Sequence, residues 1–335
     1  MPDPRPRRIL VVDLLGGLGD LVMVLPVVHA LSRRYPHAEL CVLTHPPGDA
    51  LLRHDPAVTT VTRAVRGAER LAVVGALDRF RPDLVVSTTR YDGIAAEIEA
   101  RGVRSVTDLW RNPPPDERVF ERYQRILAAE GVIDDDIQHP RVVLTHAERV
   151  TGQRLLAEYV PSGSPVVVIP SAGMEVKDWP YWLALVRMIA RRRDPPLIVG
   201  EPAVLRTWQH APARPLPALE LRALAGVFAA VATRGGVVVG PDTGPLRVAA
   251  AVGARTIGLF GPTLASRYGI GPSGVDLQGL SACPFRSPTA VTEQVCWWHA
   301  HCPLSAAGPA CMAEISVTRV LEAIDDTLRG AVVYG

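Results

Sequence analysis

Short runs of Val, Ile and Leu alternate along most of the chain with segments whose apolar residues repeat at helical spacing. The short runs are typical of buried strands, and the longer periodic segments are typical of amphipathic helices. Strands that alternate with helices favour parallel sheets covered by helices. The predicted strands are Ile9–Val12, Leu40–Leu43, Leu84–Val86, Val166–Ile169, Leu197–Val199, Val237–Val239 and Thr256–Phe260.

Helical spacing predicts the segments between these strands. The first helix follows a glycine turn and carries its apolar positions from Leu21 to Leu31. The further predicted helices are Val119–Glu130, Ala147–Tyr159, Tyr181–Arg193, Leu219–Arg234, Pro245–Val252 and Val317–Leu328. The whole pattern predicts an α/β protein with two Rossmann-like domains.

The alternation lapses between His139 and Pro165, where a predicted helix ends in the Pro-, Ser- and Gly-rich stretch 161–165. A chain of 335 residues is comfortable for two domains of about 150 residues each. We therefore predict an N-terminal domain over residues 1–160 and a second domain over 161–312. Residues 313–335 are expected to form a C-terminal helix that packs back toward the first domain.

Composition excludes several classes of function. A net charge of +2, without a basic stripe that carries interleaved aromatic residues, argues against nucleic-acid binding. The basic start and the apolar stretch behind it resemble a secretory signal, but Asp13, Asp20 and several glycines interrupt the run. No uninterrupted apolar stretch of about 20 residues exists, so no membrane span is expected. We expect a cytoplasmic protein and leave peripheral membrane contact open.

Lys177 is the single lysine among the 36 basic residues of Lys and Arg type. It follows the predicted strand Val166–Ile169, and loops beyond the carboxyl ends of strands are where open α/β sheets bind ligands. A lysine ammonium is a compact charge that suits one phosphate or sugar oxygen, whereas arginine presents a planar fork. The alternative interpretation is a solvated surface lysine.

The first strand leads into a glycine turn, Gly16-Gly17-Leu18-Gly19-Asp20, that opens the first helix. Glycines let a substrate approach the backbone closely, and a carboxylate at a helix start stays ionised beside the helix dipole. Asp20 could therefore accept a proton from a hydroxyl nucleophile, or it could be a plain N-cap. An aspartate stands where a dinucleotide-binding fingerprint needs its third glycine, which argues against NAD.

The second turn, Gly240-Pro241-Asp242-Thr243-Gly244-Pro245, also joins a strand to a helix. The backbone N–H groups of Thr243 and Gly244 stand at the helix start and form a candidate anion site. Asp242 could be a cap or could accept a sugar hydroxyl. A third loop, Gly261-Pro262-Thr263, follows the strand Thr256–Phe260, so Lys177, the Thr243 turn and Thr263 are expected to converge on one diphosphate.

Taken in order, these motifs resemble those of glycosyltransferase family 9, the bacterial family that includes the lipopolysaccharide heptosyltransferases. The matching segments are Ile9–Val12 with Gly17–Asp20 and Leu25-Pro26, Gly173–Lys177 with Trp179-Pro180, Gly240–Pro245, and Gly258–Thr263. The resemblance implies a GT-B fold, in which two Rossmann-like domains face each other across a cleft. It also implies metal-independent, inverting transfer from a nucleotide-diphosphate sugar, ADP-heptose in the best-known members.

The resemblance assigns roles to individual residues. Asp20 matches the proposed general base, and Lys177 matches the lysine that contacts donor phosphate or sugar oxygens. Asp242, Thr243 and Gly244 match the turn that binds the donor sugar and phosphate. The first domain is then the acceptor-binding domain and the second the nucleotide-sugar-binding domain.

Gly173, Thr263 and Arg247 complete the predicted donor site. Two departures from the family pattern bear on the donor. Leu14 stands where many members carry a basic residue six positions before the base, and Arg247 stands where many carry histidine. Arginine can still face a phosphate bidentately, but the donor could differ from ADP-heptose, and the acceptor could be a natural product or another envelope glycan.

Four cysteines lie close together near the C-terminus, with His299 and His301 between them: Cys283, Cys296, Cys302 and Cys311. They lack the CxxC knuckles that make a zinc site recognisable. Some relatives that glycosylate proteins bind iron through such a segment. A structural zinc or iron is one interpretation, with no part in catalysis, and buried free thiols are the other.

Acceptor contacts are predicted from position alone, at Gly17, Gly19, His45, Arg90 and Asp92. The sequence therefore predicts a glycosyltransferase that binds a nucleotide sugar and a hydroxyl acceptor, with no required cofactor and an unspecified oligomeric state. The alternatives are a GT-B sugar-nucleotide epimerase, a non-catalytic sugar-nucleotide binder, and a cysteine-anchored assembly protein.

Overall fold

The computed structural model describes residues 5–111, 113–272 and 274–330; residue 112, residue 273 and the ends of the predicted domain ranges, 1–4 and 331–335, lie outside the description. The chain divides into two compact units. The first comprises Met1–Pro113 and Val119–Val143, and the second comprises Pro114–Arg118 and Leu144–Gly335, as far as their residues are described.

A five-stranded parallel sheet forms the first unit, in the order β3-β2-β1-β4-β5. Its strands are β1 (Arg8–Asp13), β2 (Glu39–Thr44), β3 (Thr60–Arg63), β4 (Leu84–Ser87) and β5 (Arg104–Val106). Its helices are α1 (Leu18–Arg34), α2 (Glu69–Phe80), α3 (Ile94–Glu99) and α4 (Val119–Ala129). The side chains of β1 from Ile9 to Val12 are fully buried, as expected for a central strand covered on both faces.

A six-stranded parallel sheet forms the second unit, in the order β11-β10-β9-β6-β7-β8. Its strands are β6 (Val166–Val168), β7 (Leu197–Ile198), β8 (Arg214–Pro215), β9 (Val237–Pro241), β10 (Arg255–Phe260) and β11 (Gly274–Gln278). Its helices are α5 (His146–Tyr159), α6 (Trp182–Arg192), α7 (Pro202–Thr207), α8 (Leu221–Thr233), α9 (Gly244–Ala251), α10 (Ala265–Tyr268), α11 (Ala310–Ala313) and α12 (Val317–Arg329).

Each sheet contains a topological switch point, where the connections that follow two neighbouring strands run to opposite sides of the sheet. In the first sheet it lies between β1 and β4, and in the second between β6 and β9. Open α/β sheets bind ligands outside the carboxyl ends of the strands at such a point. The glycine turn that ends in Asp20 follows β1, and the Lys177 loop and the Asp242 turn follow β6 and β9.

The predicted α/β class with two Rossmann-like parallel sheets is confirmed. Every predicted strand is present within a residue or two of its predicted bounds. The strands that the pattern missed are short or lie at sheet edges, such as β3, β8 and β11, where half-exposed residues leave no apolar run to read.

Helix α5 lies in the second unit, so the division falls at residues 143 and 144 instead of the predicted 160 and 161. A Cβ at Gly152 of α5 would stand 2.2 Å from the Gly226 carbonyl carbon of α8, so the two helices pack backbone to backbone. The Glu148–Arg222 ion pair joins the same helices. Pro161–Pro165 is therefore a loop within the second unit, because helix packing outweighs the composition of the loop.

The last helix, α12, packs against α6, β9 and β10 of the second unit, whereas the sequence analysis expected it to return toward the first domain. Its buried residues, among them Val320, Leu321 and Ile324, join the core of that unit. None of the helices in the described ranges combines the length and apolar character needed to cross a bilayer.

Candidate active site

Lys177 and Asp242 meet at the switch point of the second sheet. Lys177 ends the short 3-10 helix Glu175–Lys177 that follows β6, and Asp242 follows β9 directly. The Lys177 Nζ donates to the Asp242 carboxylate Oδ2 at 3.0 Å and to the Asp242 carbonyl oxygen at 3.1 Å. The strand order joins two loops that are 65 residues apart in sequence.

Two further side chains complete a buried network around the Asp242 carboxylate. Arg247 of α9 donates through Nη2 to Oδ1 at 2.5 Å, and the Thr263 hydroxyl donates to Oδ2 at 3.0 Å. Burial by itself would raise the pKa of Asp242, but Lys177 and Arg247 outweigh it and hold that pKa far below its usual range. Asp242 is therefore a permanent anion, and the three charged groups carry a net charge of +1.

Thr243 and Gly244 present backbone amides beside this network. Thr243 is the N-cap of α9, and its own hydroxyl donates to the Pro241 carbonyl oxygen at 3.2 Å. The first amides of a helix have no carbonyl partner within the helix, and the positive end of the helix dipole lies there. Pro245 lacks an N–H, so the amides of Gly244 and Leu246 are the nearest donors in the first turn. Together with Lys177 they form a positive edge suited to an anion.

Arg247 and Gly173, two of the predicted donor contacts, have different surroundings: Arg247 is buried and Gly173 is exposed. Arg247 is only 7% exposed, and its Nη2 also donates to the Tyr268 carbonyl oxygen. The Arg247 guanidinium therefore binds the Asp242 carboxylate and the Tyr268 carbonyl oxygen, and its contact with a donor phosphate stays a prediction. Gly173 lies in the exposed loop before Lys177, and a Cβ there would meet no atom within 4 Å.

Asp20 lies half-buried in the first turn of α1, at the carboxyl end of β1. Its Oδ2 accepts a hydrogen bond from the Gly17 amide at 3.0 Å. Gly17 is the N-cap of α1, and Asp20 is the third helical residue that bonds back to it, so Asp20 is not itself the N-cap that the sequence allowed. Gly16 has a φ of +121°, a conformation that only glycine adopts readily. The cap orients the carboxylate and does not exclude its use as a base, because a carboxylate has two oxygens and about four acceptor positions.

A small cavity of about 50 Å³ lies beside this turn in the first unit. Its lining includes Gly16, Gly17, Leu18, Asp13, His45 and Arg66. Asp13 is the last residue of β1, and its Oδ1 accepts a hydrogen bond from the Thr88 hydroxyl at 2.6 Å. Burial, and secondarily the charge of Asp20, raise the pKa of Asp13 to about 7. Sequence reasoning used Asp13 only to exclude a signal peptide, although a charged residue that ends an apolar strand is itself a signal.

The structure brings some of the predicted acceptor residues together and separates others. Gly17 and His45 line the cavity, and Gly19 directly precedes Asp20 in the same turn. Arg90 is exposed and pairs with Asp108 at 2.8 Å, and Asp92 lies in an exposed turn before α3. Neither Arg90 nor Asp92 is among the lining residues of the cavity.

All four C-terminal cysteines, Cys283, Cys296, Cys302 and Cys311, line one cavity of about 20 Å³, which is room for about one water molecule. Burial raises the pKa of the Cys311 thiol to about 11, so it stays protonated at neutral pH. Within the described ranges no three His, Cys, Asp or Glu side chains are arranged to hold an ion. A zinc or iron ion bound here would have to displace the protons of these thiols, because metal ligation needs thiolates.

The cysteine-bearing segment also reaches the Lys177 network. The Lys177 Nζ lies over the Trp297 ring at 5.4 Å from its centroid. Arg286 donates through Nε and Nη2 to the Gly261 carbonyl oxygen, at 3.1 and 2.7 Å. No local sequence pattern predicts this contact between Trp297 and Lys177, because the two residues are 120 positions apart.

Comparison with known proteins agrees with this architecture. The sequence profile of glycosyltransferase family 9 (heptosyltransferase) matches residues 84–294, more than half of the chain. None of the curated proteins compared matches significantly. The structure resembles a family 9 glycosyl transferase from Veillonella parvula, with a TM-score of 0.77, 15% identity, and coverage of 97% of this chain and 98% of that one.

Two enzymes of E. coli are also similar. ADP-heptose lps heptosyltransferase II superposes with a TM-score of 0.68 and 17% identity, over 97% of this chain and 100% of that chain. The iron-containing dodecameric glycosyltransferase TibC gives a TM-score of 0.62 and 13% identity, over 98% and 77% of the two chains. At such identities the likeness establishes the GT-B fold, while the sequence profile carries the family: the chain belongs to glycosyltransferase family 9 and is an enzyme of sugar transfer.

Proposed function

We propose that this enzyme moves a heptose or related sugar, with inversion and without a metal ion, from a nucleotide-diphosphate donor to a hydroxyl of a glycan or natural product. The observation that carries the proposal is the Lys177–Asp242 network at the switch point of the second sheet. The second unit is assigned the donor, and the first unit the acceptor.

Departure of the nucleotide diphosphate is the step assigned to the second unit. Negative charge develops on the leaving oxygen, and Lys177 and the amides at the start of α9 offer donors to it. Two of the three ammonium hydrogens of Lys177 serve its bonds to Asp242, which leaves the third for a ligand. A preorganised donor of this kind contributes about 3 kcal/mol to the transition state. These groups supply the positive charge that a metal ion supplies in other transferases.

Activation of the acceptor is the step assigned to Asp20. Its carboxylate accepts the hydroxyl proton as the new bond forms, since the hydroxyl becomes acidic only then. Asp13 is a second carboxyl group near this turn, and the charge of Asp20 contributes to the raised pKa of Asp13. The cavity beside the glycine turn, lined by His45 and Arg66, is the proposed location of part of the acceptor.

The donor is proposed from the similar structures. An E. coli heptosyltransferase, WaaC, is described with ADP and with ADP-2-deoxy-2-fluoro heptose, and TibC with ADP-D-beta-D-heptose. ADP is therefore the nucleotide to try first. Arg247, buried where many relatives carry histidine, is a reason to test related sugars as well. The cysteines are assigned no part in the reaction.

Replacement of Asp20 by Asn tests the proposal. With ADP-heptose as donor and water as acceptor, we expect ADP release to fall by about 10²–10⁴-fold, the contribution typical of a general base. ADP affinity, measured by calorimetry, should remain within about threefold, because Asp20 is assigned no donor contact. Asp78→Asn on α2, which removes an exposed carboxylate of the same unit, is the matched control.

Each outcome has a distinct meaning. Unchanged ADP release in Asp20→Asn contradicts the base assignment. ADP binding without release by the wild type favours a non-catalytic sugar-nucleotide binder, and a changed sugar without ADP release favours an epimerase. Loss of ADP release after treatment with EDTA, with recovery on adding Mg²⁺, contradicts metal independence.

A further inference from the structure

Trp297 lies against the donor-side network although it belongs to the cysteine-bearing segment. Its ring centroid is 5.4 Å from the Lys177 Nζ, and the residue is only 8% exposed. The next residue, Trp298, is 67% exposed and donates from Nε1 to the Thr292 carbonyl oxygen at 3.0 Å. Two adjacent tryptophans of one loop thus have opposite surroundings.

The Lys177 ammonium is held from two sides. Asp242 accepts two of its hydrogen bonds, and the Trp297 ring contacts it as well. A cation within about 6 Å of an indole centroid is attracted by the ring, most strongly when water is excluded. The Lys177 side chain is 16% exposed, so most of its surroundings are protein. These two contacts fix the position of the ammonium group at the end of the flexible Lys177 side chain.

The loop that carries Trp297 is tied to the donor side by more than this one ring. Arg286 bonds the Gly261 carbonyl oxygen twice and the Gly279 carbonyl oxygen once, at 2.7–3.1 Å. A Cβ on Gly261 would stand 2.4 Å from the Met312 Sδ, so the polypeptide beyond the cysteines packs onto the same loop. That loop leads to Thr263, which bonds Asp242. The segment from Cys283 to Cys311 therefore packs against the loop that contributes Thr263 to the Asp242 network.

We propose that Trp297 is a positioning residue for Lys177, and that the segment from Cys283 to Cys311 is in consequence one wall of the donor site. The ring keeps the ammonium turned toward the departing diphosphate while Asp242 holds it from the other side. This role rests on the proposed function of Lys177. If Trp297 only filled space in the loop, a change in the electron density of its ring would not affect the reaction that Lys177 assists.

The first experiment uses the fact that Lys177 is the only lysine. Protein labelled with ¹³C- and ¹⁵N-lysine gives one set of lysine side-chain signals, which needs no assignment to a residue. We expect the Cε protons of Lys177 to be shifted upfield by the Trp297 ring current. The shift should vanish in Trp297→Leu and persist in Trp298→Leu, and a signal at its ordinary position in the wild type overturns the contact.

The second experiment changes the electrons of the ring while keeping its shape. Tryptophan with one, two or three ring fluorines, introduced at position 297 by nonsense suppression, weakens a cation–π contact stepwise. We expect ADP release from ADP-heptose to fall in the same steps, by about tenfold in total. The same series at Trp298 is the matched control and should be flat. Because fluorine alters size little, loss of folding does not confound the series.

The outcomes separate this inference from the proposed function. A flat series at Trp297, in a protein that releases ADP normally, overturns the positioning role and leaves the proposed function intact. Absence of nucleotide release in the wild type from ADP-heptose and from the related nucleotide sugars overturns the proposed function. In that case stepwise displacement of the Lys177 signal with fluorination supports the positioning of Lys177, and a signal that ignores fluorination refutes it.

Discussion

Replacement of Asp242 by Asn tests the network on which the proposed donor site depends. The change removes one negative charge and keeps the shape of the side chain. It leaves Lys177 and Arg247 without their common counter-charge, in places where their side chains are 16% and 7% exposed. The Thr263 hydroxyl would retain an acceptor, because the Asn amide oxygen replaces one carboxylate oxygen.

The expected loss of unfolding free energy follows from this burial. Breaking a buried ion pair by removal of one partner costs about 3–5 kcal/mol, because the remaining charge has no compensation. Lys177 retains some contact with water and can turn toward it, which lowers the cost. We therefore expect Asp242→Asn to destabilise the second unit by about 3 kcal/mol at pH 7. The ADP affinity should fall as well, because Lys177 loses its anchor.

The pH dependence gives a second, independent criterion. The two cations lower the pKa of Asp242 in the folded protein below its unfolded value. The carboxylate therefore contributes its full stability above about pH 4, and the wild type loses that contribution as the pH falls further, by about 1.4 kcal/mol per pH unit. The Asn variant has nothing to titrate at this position. The difference between the two proteins should therefore be constant from pH 5 to 8 and should narrow below about pH 4.

Urea unfolding followed by tryptophan fluorescence is a suitable assay. Every tryptophan except Trp110 belongs to the second unit, so emission reports mainly on that unit. Asp326→Asn is the matched control, because Asp326 pairs with Arg329 on the exposed surface of α12. Loss of an exposed pair should change the unfolding free energy by no more than about 1 kcal/mol. A loss below 1 kcal/mol for Asp242→Asn, or a difference that does not narrow in acid, would refute the reasoning.

Two further predictions concern single residues of the two units. Lys177→Arg keeps the charge but sets a planar fork between Asp242 and Trp297, so we expect ADP affinity, measured by calorimetry, to fall by about tenfold; an unchanged affinity would contradict the fit of an ammonium. Asp13→Asn should gain stability relative to the wild type as the pH rises. Burial and Asp20 raise the pKa of Asp13 from 3.8 to about 7, so the wild type loses up to about 4 kcal/mol between those pH values. Hydrogen exchange of β1 peptides checks this, and a difference independent of pH would disprove the raised pKa.

The sequence by itself determined the architecture and the segments that carry the proposed donor site. Buried parallel strands are continuous apolar runs, so periodicity located β1, β6 and β9, and the loops that carry Asp20, Lys177 and Asp242 follow those strands directly. The apolar pattern did not predict the short edge strands, and it did not predict that α5 belongs to the second unit. Edge strands have no apolar run, and α5 joins the second unit through a contact between two glycines that no local pattern records.

The contacts among the site residues were decided by the tertiary structure. Strand order alone makes β6 and β9 neighbours, and only then can Asp242 bind both Lys177 and Arg247. The same holds for the cysteines around one cavity and for Trp297 beside Lys177. Local propensity acts over a few residues along the chain, whereas Lys177 contacts residues 65 and 120 positions away, and that geometry exists only once the sheet has formed.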